Sequence, residues 1–309
     1  MKYIYWALVV SVLLTVQSET ALAADGLSVE PVFQDLSFSA EVPQVDFLIT
    51  LSNTSAEALT LRSSVVDFGS LDASGGVAFL GASDNLAHKY ALASWMRPEK
   101  DAVFLDAGET ETLKIVIENR ESLSPGGHYG AVLFQVSHDE NIVESNVVAV
   151  NQLISVLVFA KKQGGEVYKL NLRERQWNTT LFQGVAEGAL RFQNEGNVHV
   201  VPRGTILVKD PLGRMVQKGV INSESGIVLP ESERTLITRL SSLALLLVPG
   251  RYTMLTSYRY DGQETFETVT DTRVLVPWLS ILGLGVLFVL IFGWRFVKKR
   301  SDFLKNTKS

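Results

Sequence analysis

Residues 146–160 read NVVAVNQLISVLVFA, and the reading of this stretch decides the fold. β-Branched residues dominate it, while Asn151 and Gln152 place polar amides where a membrane-spanning helix would carry none. It reads as a long strand, buried on both faces for part of its length. Working outward, the same strand signal recurs with a period of two. Val45, Phe47, Ile49 and Leu51 alternate with Asp46, Thr50 and Ser52, and Leu113, Ile115 and Ile117 alternate with Thr112, Lys114 and Glu118. Lys161-Lys162-Gln163-Gly164-Gly165 breaks the pattern and reads as a linker. Beyond it, strands are expected at 188–193, 204–209, 215–220, 235–240 and 252–260. Asp210-Pro211-Leu212-Gly213 suits a type I turn, and Tyr260-Asp261-Gly262-Gln263 a type I′ hairpin. No long amphipathic helix is visible in either half. The expected fold is therefore all-β: two tandem immunoglobulin-like sandwiches, 24–162 and 166–273.

The halves echo each other. Leu51-Ser52-Asn53-Thr54-Ser55 is followed by Leu105-Asp106-Ala107-Gly108-Glu109 and later by Ser124-Pro125-Gly126-Gly127-His128-Tyr129. Phe192-Gln193-Asn194-Glu195-Gly196-Asn197 is followed by Leu229-Pro230-Glu231-Ser232-Glu233 and later by Val248-Pro249-Gly250-Arg251-Tyr252. In each half an Asn-ended strand precedes a polar turn, and a Pro-Gly turn then puts a Tyr at the start of the next strand. Two copies are too few for a solenoid, so the echo implies two sandwiches of one superfamily.

Both ends of the chain are apolar. After Met1 and Lys2, residues 3–16 are apolar at all but Ser11 and Thr15, and Ala21-Leu22-Ala23 ends the segment in an A-x-A pattern. This is the form of a secretory signal peptide, 1–23, cleaved between Ala23 and Ala24. At the other end, 275–294 reads LVPWLSILGLGVLFVLIFGW without a charge, long enough at ~1.5 Å per residue to cross a bilayer as a helix. Trp278 and Trp294 bracket it as interface anchors. Arg295, Lys298, Lys299 and Arg300 open a basic tail, 295–309, that is expected to stay in the cytoplasm. The expected topology is a single-pass membrane protein with its sandwiches outside the cell or in the periplasm.

Composition then divides by location. The whole chain has 309 residues, a net charge of −5 and a mean hydropathy of +0.17. With both terminal segments set aside, 21 basic and 31 acidic residues remain, so the external part is strongly acidic and unsuited to nucleic acid. The absence of cysteine excludes disulfides, thiolate metal sites and a cysteine nucleophile.

Catalytic signals are missing. His88, His128, His138 and His199 show no shared-ligand spacing, and His138-Asp139-Glu140 reads as a solvated turn before Asn141. There is no G-x-S-x-G elbow, H-E-x-x-H, P-loop or calcium loop. No enzyme activity, cofactor or metal is expected. For ligand binding, the weakly periodic segment 70–94 and the Pro125-Gly126-Gly127 turn are the places to look. Tyr90, Trp95, His128 and Tyr129 are the candidate residues, with Phe79, Tyr90 and Trp95 offering faces for sugar rings. The competing reading makes Tyr90 and Trp95 core residues, 77–80 another strand, and 125–129 a turn entering a central strand.

The order Asn53-Thr54-Ser55, Ser94-Trp95-Met96, Leu105-Asp106-Ala107-Gly108-Glu109 and Pro125-Gly126-Gly127-His128-Tyr129-Gly130-Ala131-Val132-Leu133-Phe134 resembles the bacterial DUF916 family. That family includes the peptidoglycan-binding domain of WxL-interacting proteins and has an immunoglobulin-like fold related to pilus chaperones. The resemblance covers about residues 27–160, and residues 166–272 carry no motif of the family's second, partner-binding domain. It implies a non-catalytic envelope protein that binds peptidoglycan or another surface protein. The alternative it implies is a chaperone or scaffold that assists assembly of exported subunits by strand donation, and a third is a sensor or structural subunit of a membrane complex.

Overall fold

The computed structural model describes residues 26–80, 89–137, 153–180 and 184–306, with side chains through 298. The expected signal peptide with its Ala23–Ala24 cleavage site, His88, the His138 triplet and the first half of the 146–160 stretch lie outside these residues, as do the side chains of Lys299 and Arg300.

In chain order the first sandwich contains β1 (Leu27–Glu30), β2 (Phe33–Phe38), β3 (Gln44–Asn53), β4 (Leu59–Ser70), β5 (Val77–Leu80), β6 (Met96–Pro98), β7 (Ala102–Leu105), β8 (Thr110–Glu118), β9 (Gly126–Ser137) and β10 (Leu153–Lys162). One sheet runs β1-β3-β8-β6 and the other β2-β10-β9-β4-β5, with β7 also on β4. The alternating residues read from the sequence are cross-strand partners: Val45 lies opposite Ile117, Phe47 opposite Ile115 and Ile49 opposite Leu113. Their shared inner face meets Val132, Phe134, Val156 and Val158 of the second sheet in one core.

The second sandwich contains β11 (Leu170–Thr180), β12 (Gly184–Asn194), β13 (Arg203–Lys209), β14 (Met215–Ile221), β15 (Glu233–Ser242), β16 (Gly250–Arg259) and β17 (Glu267–Leu275), in the order β11-β12-β15-β14-β13-β16-β17. It closes on itself because β15 pairs with β12 through Glu233–Arg239 and then with β14 through Leu240–Ser242, passing from one layer to the other. Across the seam, Asp271 of β17 accepts from Nε and Nη2 of Arg175 at 2.7 and 3.2 Å and from Trp177 Nε1 at 3.3 Å, joining the two edge strands. The chain is thus two tandem immunoglobulin-like sandwiches followed by a helix, α1 (Trp278–Asn306).

Several expectations shift. Strands β11 and β17 were not anticipated: the first is mostly polar and half-exposed, and the second alternates threonines instead of large apolar residues. The expected linker begins two residues late, because β10 runs through Lys162. That lysine is buried, and its Nζ donates to the carbonyls of Arg120 and Leu123 at 3.1 and 2.8 Å. The Tyr260–Gln263 turn forms, with Gln263 N–H donating to the Tyr260 carbonyl, but only Gly262 takes a positive φ, so it is not type I′. The Asp210–Gly213 turn forms as expected, with Gly213 N–H on the Asp210 carbonyl at 2.9 Å. Leu275, placed in the span by sequence, is the last residue of β17. The helix begins at Trp278 instead, and Trp278–Lys298 is long and apolar enough to cross a membrane.

The internal echo has a structural basis. Asn53 and Asn194 are both buried at the end of a strand. In each, Nδ2 donates to the carbonyl four residues on, Glu57 or Val198, and Oδ1 accepts the N–H two residues on, Ser55 or Gly196. Nδ2 also reaches the polar turn that precedes the next strand, at Asp106 or Val228. The expected match of Tyr129 with Tyr252 is off by one residue. Tyr252 Oη donates to the carbonyl four residues back, Val248, at 2.7 Å, and it is His128 whose Nε2 lies 2.8 Å from the carbonyl four residues back, Ser124. The second glycine of Pro125-Gly126-Gly127 fills the place of Arg251, and a shift of one residue on a strand sends the tyrosine to the opposite face.

Candidate functional site

That displaced tyrosine builds the contact between the sandwiches. Phe68, Tyr129, Ala131, Leu133 and Phe159 form a buried cluster on the outer face of the larger sheet, separate from the core beneath it. Ile227 and Leu229, from the loop between β14 and β15, cover it from the second sandwich. The rings of Phe68, Tyr129 and Phe159 pack edge to face with centroids 5.3 to 5.9 Å apart. Strand β9 and the later part of β10 are therefore buried on both faces; for the 146–160 stretch the sequence implied this for part of its length.

Polar groups frame the cluster. Tyr129 Oη lies 3.3 Å from His199 Nδ1, and His199 Nε2 lies 3.6 Å from Asp35 Oδ2 on β2. The His199 imidazole holds the Asp35 carboxyl below its ordinary range against the opposing effect of burial, while burial pushes the Tyr129 phenol well up. On the far side, Glu231 accepts from Lys89 Nζ at 2.9 Å and from Tyr90 Oη at 3.0 Å. Backbone joins backbone twice, from Gly127 N–H to the Asn197 carbonyl at 2.8 Å and from Thr235 N–H to the Ala73 carbonyl at 2.7 Å. Glycine is required at 126 and 127 because the chain passes so close to Asn197: a Cβ on Gly126 would stand 3.0 Å from Asn197 Nδ2, and one on Gly127 would overlap the Tyr129 hydroxyl.

Beside this contact a cleft of about 350 Å³ stays open between the sandwiches. Phe33, Leu157, Phe159 and Val77 line it from the first, and Ile227 and Leu229 from the second. Arg234 closes its polar end. The guanidinium lies against the backbone of Gly75, where a Cβ would come within 2.5 Å of Cζ, and donates to the Ile227 carbonyl at 2.7 Å. Burial there pushes the Arg234 pKa down, opposed by the nearby Glu224 carboxylate.

The cleft continues onto an open strand edge. Strand β2 pairs with β10 only from Leu157 to Lys162, because at Pro31 the chain leaves for the opposite sheet as β1. Leu157 N–H donates to the Val32 carbonyl at 3.2 Å, so by alternation the backbone groups of Ser155 and Leu153 face the side away from β9, and on that side no described strand meets them. Leu153, Phe33 and Val32 are exposed along this edge.

Of the four residues singled out from sequence, the structure brings Tyr90 and Tyr129 together at the contact, with ring centroids 6.4 Å apart. It places Trp95 and His128 elsewhere. Trp95 is half-buried against the first core, 6.2 Å from the His128 ring, and His128 is buried with Nδ1 3.0 Å from the Ala91 carbonyl and Nε2 on Ser124. The rings proposed to face sugars are thus not gathered on one surface; Phe79 alone of them is exposed, on β5. Sequence reasoning missed Asp35, His199, Glu231 and Arg234. The signal available was the repeat, since Asn197 and Glu231 lie on turns that the echo had already marked, and His199 lies two residues beyond the first of them.

No protein-family model matches the chain, and no curated protein matches its sequence. Among solved structures, it is similar to a chain of the chaperone–tip adhesin complex of CFA/I fimbriae biogenesis, at 12% identity and a TM-score of 0.44 over 82% of this chain and 99% of that one. The class 5 fimbriae chaperone CfaA gives 12% identity and 0.43 over 82% and 100%. A chain of the Salmonella enterica SafA pilin–SafB chaperone complex gives 10% and 0.40 over 82% and 99%.

Proposed function

We propose that the chain is a membrane-tethered, non-catalytic binding protein whose two external sandwiches capture an extended segment of another exported protein. The observation that carries this reading is the open edge of β10 at residues 153–156, which runs directly into the apolar cleft. An added strand would pair with the backbone groups of Leu153 and Ser155 on the side where no described strand meets them, and could lay alternate apolar side chains on Leu157, Phe33 and Phe159. The tether is α1, with the signal sequence and the basic tail setting the sandwiches outside and the C-terminus in the cytoplasm. Anchoring holds the cleft at high effective concentration near partners emerging from the same membrane. The segment order also agrees with the resemblance to WxL-interacting proteins, although capture of a wall polymer finds no grouped, exposed rings among the residues singled out for it, Phe79, Tyr90 and Trp95.

The same edge favours a second reading, in which capture is transient and serves assembly. Photo-crosslinking in cells with benzoylphenylalanine at Ser155 and Phe33, against a control at Glu174, tests both. Adducts with an exported protein are expected at the first two positions; persistence through a chase favours stable binding, and disappearance favours assembly. Adduct yields no higher than at Glu174, or retention of the detergent-solubilised chain on purified peptidoglycan in their place, would overturn strand capture.

A further inference from the structure

The end of the second sandwich that faces away from the cleft carries an apolar rim. Gly250 pairs with Leu275, and Lys209 pairs with both Thr253 and Met215. These registers bring the β13–β14 turn, the β15–β16 loop and the exit of β17 to one end of the molecule. The loops abut, since a Cβ on Gly250 would stand 2.9 Å from Pro211 Cγ. Leu246 is buried and packs with Val208, Val216 and Tyr252, which pins the β15–β16 loop to the domain. Its neighbours Leu245 and Leu247 are turned outward, and Leu245 is 68% exposed. Leu212, Leu243, Val274 and Val276 are exposed at the same end, Val274 to 73%.

Single exposed leucines are ordinary, but six large aliphatic side chains at one end of a domain, on two adjoining loops and the end of β17, are not. Two further observations identify what covers them. Only Val276 and Pro277 separate β17 from α1, so this end of the domain lies within about 10 Å of the start of the helix. Arg251 and Arg273 are exposed on the adjoining strands, Arg251 directly opposite Val274. The Asp210 carboxylate at this end is buried and already bound by Arg214 at 2.7 Å. An apolar rim backed by cations, within about 10 Å of a membrane-length helix, matches the layering of a bilayer surface, with acyl chains innermost and phosphates outside them.

We propose that this rim rests in the outer leaflet of the membrane that α1 crosses, with the β13–β14 and β15–β16 leucines among the lipid acyl chains and Arg251 and Arg273 at the headgroup phosphates. This inference rests on the reading of α1 as a span. It gives the sandwiches a fixed stance, cleft outward, where the short connection alone would let them tilt.

The chain has no cysteine, so single cysteines introduced for labelling report cleanly. The full chain carrying Leu212→Cys, Leu245→Cys, Phe266→Cys or Leu284→Cys is labelled with an environment-sensitive nitrobenzoxadiazole dye and reconstituted in phosphatidylglycerol-containing nanodiscs with nitroxide lipids. Blue-shifted emission and strong quenching by shallow nitroxides are expected at 212 and 245, quenching by deep nitroxides at 284, and neither at 266, which lies at the opposite end of the domain. If 284 is quenched while 212 and 245 behave like 266, the span stands and the rim contact is wrong. Blue-shifted but unquenched dye at 212 and 245 would mean that protein, such as a second copy, covers the rim, and would overturn the proposal. An unquenched 284 removes the span itself and the inference with it.

Discussion

Tyr129 Oη stands 3.3 Å from His199 Nδ1 across the boundary between the sandwiches, at a site where both residues are buried. Tyr129→Phe keeps the ring packing against Phe68 and Phe159 and removes only the hydroxyl, leaving a buried nitrogen without its partner. The expected cost is about 1–2 kcal/mol in chemical denaturation. Faster proteolysis at Gly164-Gly165 should accompany it, since the contact holds the sandwiches together on either side of that link. Unchanged stability and cleavage would show that the hydroxyl does not hold the contact.

Asp35 makes the same boundary pH-dependent on the acid side. His199 holds its carboxyl below the ordinary value of about 3.9, so its stabilising effect is complete above that value and is lost as pH falls through the lower folded one. Asp35→Asn should lower the unfolding midpoint at pH 6, and the difference from the unaltered protein should shrink as pH falls below the ordinary carboxylate range. Because Asp35 is half-exposed, the shift should be small and should shrink in salt.

His128 predicts a separate limb at higher pH. Burial is the largest influence on its imidazole and lowers the pKa below 6.5, with the buried Lys162 ammonium acting in the same direction and the Ser124 and Ala91 carbonyls opposing. The unfolded chain then binds the proton more readily, so stability should fall as pH drops from about 7 towards 5. His128→Gln, which retains a donor for the Ser124 carbonyl, should flatten that limb, as read by denaturation midpoints across the range.

The paired asparagines give a test of the repeat. Asn194 is fully buried and makes three side-chain hydrogen bonds to backbone groups, so Asn194→Ala leaves two carbonyls and one N–H to find other partners. A loss of about 2–4 kcal/mol is expected, with Asn53→Ala somewhat milder because four of the five bonds Asn53 makes are only part-buried. Calorimetry should place the loss in the unfolding of the sandwich that carries the substitution.

Most of the architecture was legible because half-buried strands write their period into the sequence. In β3 and β8 the inward-facing residues were readable, since each alternates large apolar with polar side chains; that the two strands pair, and in which register, came from the structure. Strands β11 and β17 were not, because they are edge strands, each paired along one side only and meeting the other across a seam of Arg175, Trp177 and Asp271, and a seam has no period. The cleft was illegible for a related reason. It is made by residues far apart in the chain, such as Phe33 and Leu157 with Ile227 and Leu229, whose proximity depends on how two sandwiches dock. The Pro-Gly echo located the right turn yet matched the wrong residue, because His128 holds the place of Tyr252 and Tyr129, one residue further along the strand, lies on the opposite face.

The seam itself is open to test. Arg175 and Asp271 are each about three-quarters buried, their two-pronged hydrogen bond has the geometry that makes such pairs strong, and Asp271 raises the pKa of Arg175. Asp271→Ala would strand the guanidinium and the Trp177 N–H, at an expected cost of about 2 kcal/mol. Arg175→Lys should recover little, since an ammonium cannot reproduce the fork. A double-mutant cycle over Arg175→Ala and Asp271→Ala measures the coupling directly. With the seam cut, β11 and β17 become unprotected edges, so the variant should also show concentration-dependent self-association in detergent that the unaltered chain lacks.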